Sequence, residues 1–101
     1  MIFPNDFIDK IICGDCLEIM RKIPDGSIDL IVTSPPYNIG NNHHTGNKRH
    51  YSYYDNFPER EYQLWQIEVL NECFRILSTN GSLIYNHKNR LKVGVQITPY
   101  E

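Results

Sequence analysis

The sequence predicts an α/β fold, a parallel sheet with helices on its faces. Three observations predict it. The run Ile28-Asp29-Leu30-Ile31-Val32-Thr33-Ser34 has a continuous apolar centre without alternation, the pattern of a strand buried on both faces. From Pro58 onward, apolar residues recur at helical spacing. Short apolar runs before and after complete the order strand, helix, strand, long connection, helix, strand, which is the crossover pattern of a parallel sheet.

Lys10–Cys13 reads as the first short strand, ended by Gly14. Asp15 is placed to cap a helix through Leu17, Met20 and Ile23, and Pro24 stops it. Asp25-Gly26 is a strong turn signal before the second strand. Residues 38–56 show no periodicity and collect asparagine, histidine and tyrosine, so 38–57 reads as a long functional loop.

Pro58 suits a first helical turn, with Glu59 and Glu61 near the positive end of the helix dipole. Ile67, Leu70, Phe74 and Leu77 form the expected stripe, widened by Val69, Cys73 and Ile76. Ser78 to Gly81 is expected to end the helix, with Gly81 left-handed, and Ser82–His87 to form a third strand. Residues 88–101 read as polar and partly ordered at best. Three strands leave two open sheet edges, so the chain is expected to be part of a larger domain, or to pair with a second copy.

At 101 residues the chain is one domain at most. A net charge of −2 and a pI near 6.0 exclude a simple basic nucleic-acid module, while leaving a local site open. The N-terminus lacks the basic and apolar regions of a signal peptide, and no run approaches the ~20 apolar residues of a membrane span. Three cysteines give no disulfide framework and suit a reducing cytoplasm. Cys13 and Cys16 form a CxxC pair, read as small buried apolar residues in preference to a redox or metal site. A zinc site from His43, His44 and His50 lacks paired ligand spacing, and no metal is expected.

Ligands of open α/β sheets gather beyond the carboxyl ends of the strands. Gly14-Asp15, Ser34-Pro35-Pro36-Tyr37 and Asn86-His87 fall there. Each alone is an ordinary turn. Together they suit a planar ring bearing an exocyclic amine. Pro35 and Pro36 have fixed φ and no N–H, so their carbonyls lack a local donor. The amine's two N–H groups would go to Ser34 Oγ and the Pro35 carbonyl, and Tyr37 would stack on the ring, as a flipped base requires.

The stretch "DLIVTSPPYN" resembles the catalytic motif of the amino-directed DNA methyltransferases, which methylate cytosine N4 or adenine N6 with S-adenosylmethionine. "GDCLEIMRKIPDGSIDLIV" is similar to the segment leading into that motif, and "YQLWQIEVLNECFRILSTNGSLIYNHKNR" to the helix and strand after it. The resemblance covers essentially the whole chain. It implies a partial Rossmann-like methyltransferase sheet in which three strands are recognisable.

It also implies roles. Ser34, Pro35, Pro36 and Tyr37 would form the catalytic motif. Hydrogen bonds from the amine would favour a more tetrahedral nitrogen, aiming its lone pair at the sulfonium methyl without a covalent intermediate. Asp15 and Asn38 would face the cofactor, and Lys48, Arg49 and His50 would contact DNA phosphate. His87 falls either at the pocket rim or on the surface.

Serine at position 34 leans toward cytosine without excluding adenine. The family's glycine-rich cofactor loop is absent, as is a target-recognition region. The chain matches the catalytic-first, circularly permuted subgroup, and residues 1–101 read as its N-terminal catalytic part. On that reading it is inactive alone. Its expected partners are double-stranded DNA and either a second copy or a complementary methyltransferase half, with no membrane. Two alternatives stay open: a non-catalytic domain binding nucleic acid or protein, and a piece of an RNA methyltransferase.

Overall fold

The computed structural model describes residues 1–39, 55–92 and 95–99, without the side chains of 91 and 92. Its elements are α1 (Cys16–Met20), β1 (Ile28–Thr33), α2 (Glu59–Ile76), β2 (Leu77–Tyr85), β3 (Arg90–Lys92) and β4 (Val95–Ile97). The fold is α/β, as expected of a partial methyltransferase sheet. The chain divides into two compact units, residues 1–32 with 67–84 and residues 33–66 with 85–101.

In the first unit, Asp15 caps α1 as its sequence position implies, accepting from the Leu17 and Glu18 N–H groups at 3.0 and 3.2 Å. Gly26 is left-handed at φ 64 in the turn before β1, and its N–H donates to the Arg75 carbonyl at 2.9 Å. Arg75 closes the same turn, donating to the Met20 and Ile23 carbonyls and to Asp25 and Glu72. β1 pairs with β2. Ile28 lies beside Gly81 and the Thr33 carbonyl accepts from Asn86, so the numbering advances together and the pair is parallel.

Several expectations are corrected here. Lys10–Cys13 is not a strand: Ile11 is fully exposed, and no described strand lies beside it to take its backbone hydrogen bonds. Cys13 and Cys16 are exposed, not buried. Although the residue is exposed, local desolvation of its sulfur, with the Asp15 carboxylate, pushes the Cys16 thiol up, the reverse of a redox thiol.

β1 is not covered on both faces, since Leu30 and Val32 are 56 % and 66 % exposed. The buried face of α2 in this unit is Val69, Cys73 and Ile76, whereas Phe74 is 81 % exposed and Ile67 also faces solvent. Both stripes have helical spacing, and only packing decides between them.

Gly81 is not a helix cap. α2 passes directly into β2, and Gly81 lies inside that strand. A Cβ there would come within 2.9 Å of Leu77 Cδ2 and 3.1 Å of the Ile28 carbonyl, so the glycine permits close approach rather than a left-handed turn.

In the second unit, β3 and β4 pair antiparallel, Leu91 opposite Gln96. The 88–101 region thus holds a hairpin that its polar composition hides. Among the described residues, no helix is long and apolar enough to cross a membrane.

Candidate active site

The second unit holds the strand ends on which the motif sits. β1 stops at Thr33, so Ser34-Pro35-Pro36-Tyr37 leaves the sheet directly. Pro cannot continue a strand ladder, which is why the chain turns away there. Asn86 lies beside Ser34 because its N–H donates to the Thr33 carbonyl at 2.9 Å. Its side-chain amide donates twice, to Ser34 Oγ at 3.1 Å and to Tyr37 OH at 2.8 Å. A hydroxyl oxygen has two acceptor positions and one proton, and Asn86 uses one acceptor position on each. Ser34 is exposed, Pro35 is buried, and Tyr37 is partly covered.

Pro36 is held from α2. Its carbonyl accepts from the hydroxyl of Tyr62, a residue only 2 % exposed, and the same Tyr62 oxygen lies 2.6 Å from His87 Nε2. Burial pushes the Tyr62 phenol well above its usual range, so it remains a proton donor. Burial also holds the His87 imidazole below its ordinary value. The His87 ring lies 5.1 Å from that of Tyr37 and 5.9 Å from that of Tyr85. The Pro35 carbonyl accepts no hydrogen bond from a described residue.

Arg90 completes the surroundings. It pairs with Glu59, stands 4.9 Å over the Tyr62 ring, and donates from Nη1 to the Tyr37 carbonyl at 3.4 Å. Lys88 Nζ sits 5.9 Å from the Tyr37 ring centre. Gln66 binds the Tyr85 hydroxyl and the Pro99 carbonyl, joining α2 to the end of β2 and to the segment after β4.

Asn38, one of the two residues expected to face the cofactor, lies at the start of the connection to α2. It is fully buried and left-handed at φ 57. Its amide exchanges two hydrogen bonds with the Phe57 backbone, at 2.9 and 2.7 Å, and its N–H donates to Asp55. It closes the neck of the connection between β1 and α2 in the manner of a backbone turn. Asp15 belongs to the other unit, where it caps α1. Lys48, Arg49 and His50, and the histidines weighed for zinc, lie outside the described residues, as does most of the 38–57 loop.

Sequence reasoning overlooked Tyr62, Arg90 and Glu59. One signal was present. Continued toward its N-terminus, the buried face of α2 (Ile76, Cys73, Val69) reaches Gln66 and Tyr62, where it turns polar. A buried stripe that becomes polar needs partners for those atoms.

The profile of a family described as DNA methylase, covering the N6- and N4-directed enzymes, matches residues 28–97. The chain is 40 % identical over 83 residues to the Type II methyltransferase M.BglII of Bacillus subtilis, covering 82 % of this chain and 20 % of that protein. It is 33 % identical to the Type II methyltransferase M.HinfI of Haemophilus influenzae, covering 89 % of this chain and 28 % of that one. It is 40 % identical to the DNA adenine methyltransferase YhdJ of Escherichia coli K12, covering 72 % and 22 %. The chain spans between a fifth and somewhat over a quarter of the length of these relatives. With the profile matching well over half of its residues, this chain belongs to the N6/N4 DNA methylase family.

Proposed function

We propose that the chain is the base-holding part of a methyltransferase acting on the exocyclic amine of cytosine (N4) or adenine (N6) in double-stranded DNA, in the cytoplasm. One observation carries this reading. Ser34 Oγ and Tyr37 OH are held by a single Asn86 amide at the end of β1, and the neighbouring Pro35 carbonyl accepts from no described residue.

An exocyclic amine brings two N–H donors in the plane of its ring. The second acceptor position of Ser34 Oγ and the Pro35 carbonyl would take them, while Tyr37 stacks on the ring face. These two acceptors draw the nitrogen toward the tetrahedral geometry in which its lone pair reacts, and they orient it.

Enzymes of this family take the methyl group from S-adenosylmethionine. Asp15 and Asn38 are the residues we assign to that cofactor; the Asp15 carboxylate caps α1 and the Asn38 amide is engaged by the Phe57 backbone. On this reading the chain supplies acceptors and orientation for the base, and a complementary half or a second copy completes the cofactor pocket that transfer needs.

The test grafts these residues into M.BglII in place of its matching segment and follows labelled methyl transfer into duplex DNA. The chain alone should transfer nothing. The chimera should yield N4-methylcytosine or N6-methyladenine, and Ser34→Ala within it should lower the rate by about 100-fold while cofactor binding persists. Methylation at cytosine C5, or indifference to both Ser34→Ala and Tyr37→Ala, would overturn the reading. Salt-dependent DNA binding by the chain, with an inert chimera, would point to a non-catalytic nucleic-acid domain.

A further inference from the structure

We propose that Tyr62, Arg90 and His87 are positioning residues of this site, which clamp the two peptide groups flanking Tyr37 and so set the orientation of its ring. The inference rests on the base-holding reading for its consequence, and on the hydrogen bonds of the second unit for its geometry.

Tyr37 is held through four polar atoms in and beside it. The carbonyl before it, on Pro36, accepts from Tyr62, and its own carbonyl accepts from Arg90 at 3.4 Å. Its hydroxyl accepts from Asn86 at 2.8 Å, and the next N–H, on Asn38, donates to Asp55 at 2.9 Å. Tyr62 and Arg90 are themselves nearly inaccessible, and Glu59 compensates the arginine. Two prolines restrict φ just before Tyr37, but they leave rotation of the Pro36–Tyr37 peptide open. The Tyr62 hydroxyl removes that freedom.

The direction of each proton follows from the partners. Tyr62 has one O–H, and it points at the Pro36 carbonyl, so the contact with His87 requires a hydrogen on Nε2. His87 Nδ1 then accepts from the Lys88 N–H at 2.8 Å. This is the neutral Nε2–H tautomer, and both ring nitrogens are used.

A second proton would go to Nδ1, facing a donor. The Lys88 carbonyl, 3.1 Å away, is the acceptor within reach of that proton, while burial of the ring opposes the charge. Among the described residues, the charged and titratable groups around His87 are Tyr62 and Glu59 from α2, Tyr37 and Asp55 from the loop, Tyr85 from β2, and Lys88 and Arg90 from its own segment. Acid therefore acts on the clamp at its histidine end, against the burial that holds the ring neutral.

Nuclear magnetic resonance of the full 101-residue chain tests this, with dCMP and dAMP as base probes. At pH about 7.5 the His87 Nε2 should be protonated and Nδ1 bare. Tyr62→Phe should move the Tyr37 amide, which shares a peptide group with the Pro36 carbonyl. It should also weaken probe binding about tenfold, with the signals of Val69 and Ile76 in place. Probe binding by the unaltered chain should fall only on the acid side of the ordinary imidazole value, about 6.5. His87→Gln, whose amide can still donate to Tyr62, should restore what His87→Ala loses and flatten that fall.

A hydrogen on Nδ1 instead of Nε2, or a Tyr37 amide unmoved by Tyr62→Phe, would overturn the clamp. Absence of probe binding by the unaltered chain would sink the base-holding reading. The tautomer and the Tyr37 amide would decide the clamp even then.

Discussion

The two units of this chain bury different kinds of atom. The first buries Leu17, Val69, Cys73 and Ile76, and leaves Leu30, Val32, Phe74 and Ile84 facing solvent. The second buries Asn38, Gln66, Arg90 and the Tyr62 phenol, nearly all of them bonded. Apolar burial is strong but indifferent to direction, so it holds a sheet and a helix together without aiming any atom. Hydrogen bonds contribute less net free energy apiece but fix direction, and a buried polar group left unpaired is costly. The region carrying the Pro-Pro-Tyr motif is thus built for orientation, and the other for cohesion. Glu59 Oε2 and Arg90 Nε are the buried side-chain polar atoms there that lack a partner among the described residues.

This contrast can be broken by substitution, measured by urea unfolding of the full chain. The largest effect is expected from Arg90→Ala, which leaves the Glu59 carboxylate with the Gln63 amide but without its countercharge. Because Glu59 is partly exposed, the loss should fall at the low end for a broken buried pair, about 3 kcal/mol. A change under about 0.5 kcal/mol would mean that the polar region is not held by its ion pair.

Ile76→Ala probes the apolar side and should cost about 2.5 kcal/mol through lost burial and a residual cavity. It should leave the Tyr37 amide signal in place, and movement of that signal would erase the distinction. Asn38→Ala removes both bonds to Phe57 and puts alanine at φ 57, for an expected loss of about 2 kcal/mol. Asn38→Gly keeps the backbone free of strain, so the difference between the two variants separates conformation from hydrogen bonding.

Acid supplies a smaller effect. His87 has its folded value below its unfolded one, so its contribution is complete above pH about 6.5 and is lost as pH falls through the folded value. Unfolding curves of the unaltered chain and of His87→Gln should therefore diverge only on the acid side. Divergence above neutrality would contradict a neutral His87. Phe74→Ser should change stability by less than about 0.5 kcal/mol, since that ring is already exposed, and a larger loss would show that something covers it in solution.

Features governed by neighbours along the chain were legible in the sequence. Asp15 caps α1, Asp25-Gly26 turns with a left-handed glycine, α2 starts after Pro58, and Ser34 follows directly on the end of β1. Features needing a distant partner were not. Lys10–Cys13 has strand composition without a described strand beside it, and the β3–β4 hairpin forms in a segment that reads as polar and irregular. Two stripes of α2 have the same period, and nothing local says which one is covered.

By itself, then, the sequence determined the α/β class, the Asp15 cap of α1, the Asp25-Gly26 turn and the position of Ser34-Pro35-Pro36-Tyr37 at a strand end, because each depends on side-chain chemistry and on neighbours a few residues away. Only the tertiary structure decided how those groups are aimed. Tyr62 reaches Pro36 across 26 positions, Asn86 reaches Tyr37 across 49, and Arg90 reaches it across 53. Hydrogen-bond direction is a property of atoms in space, and local propensity carries no information about partners that far along the chain.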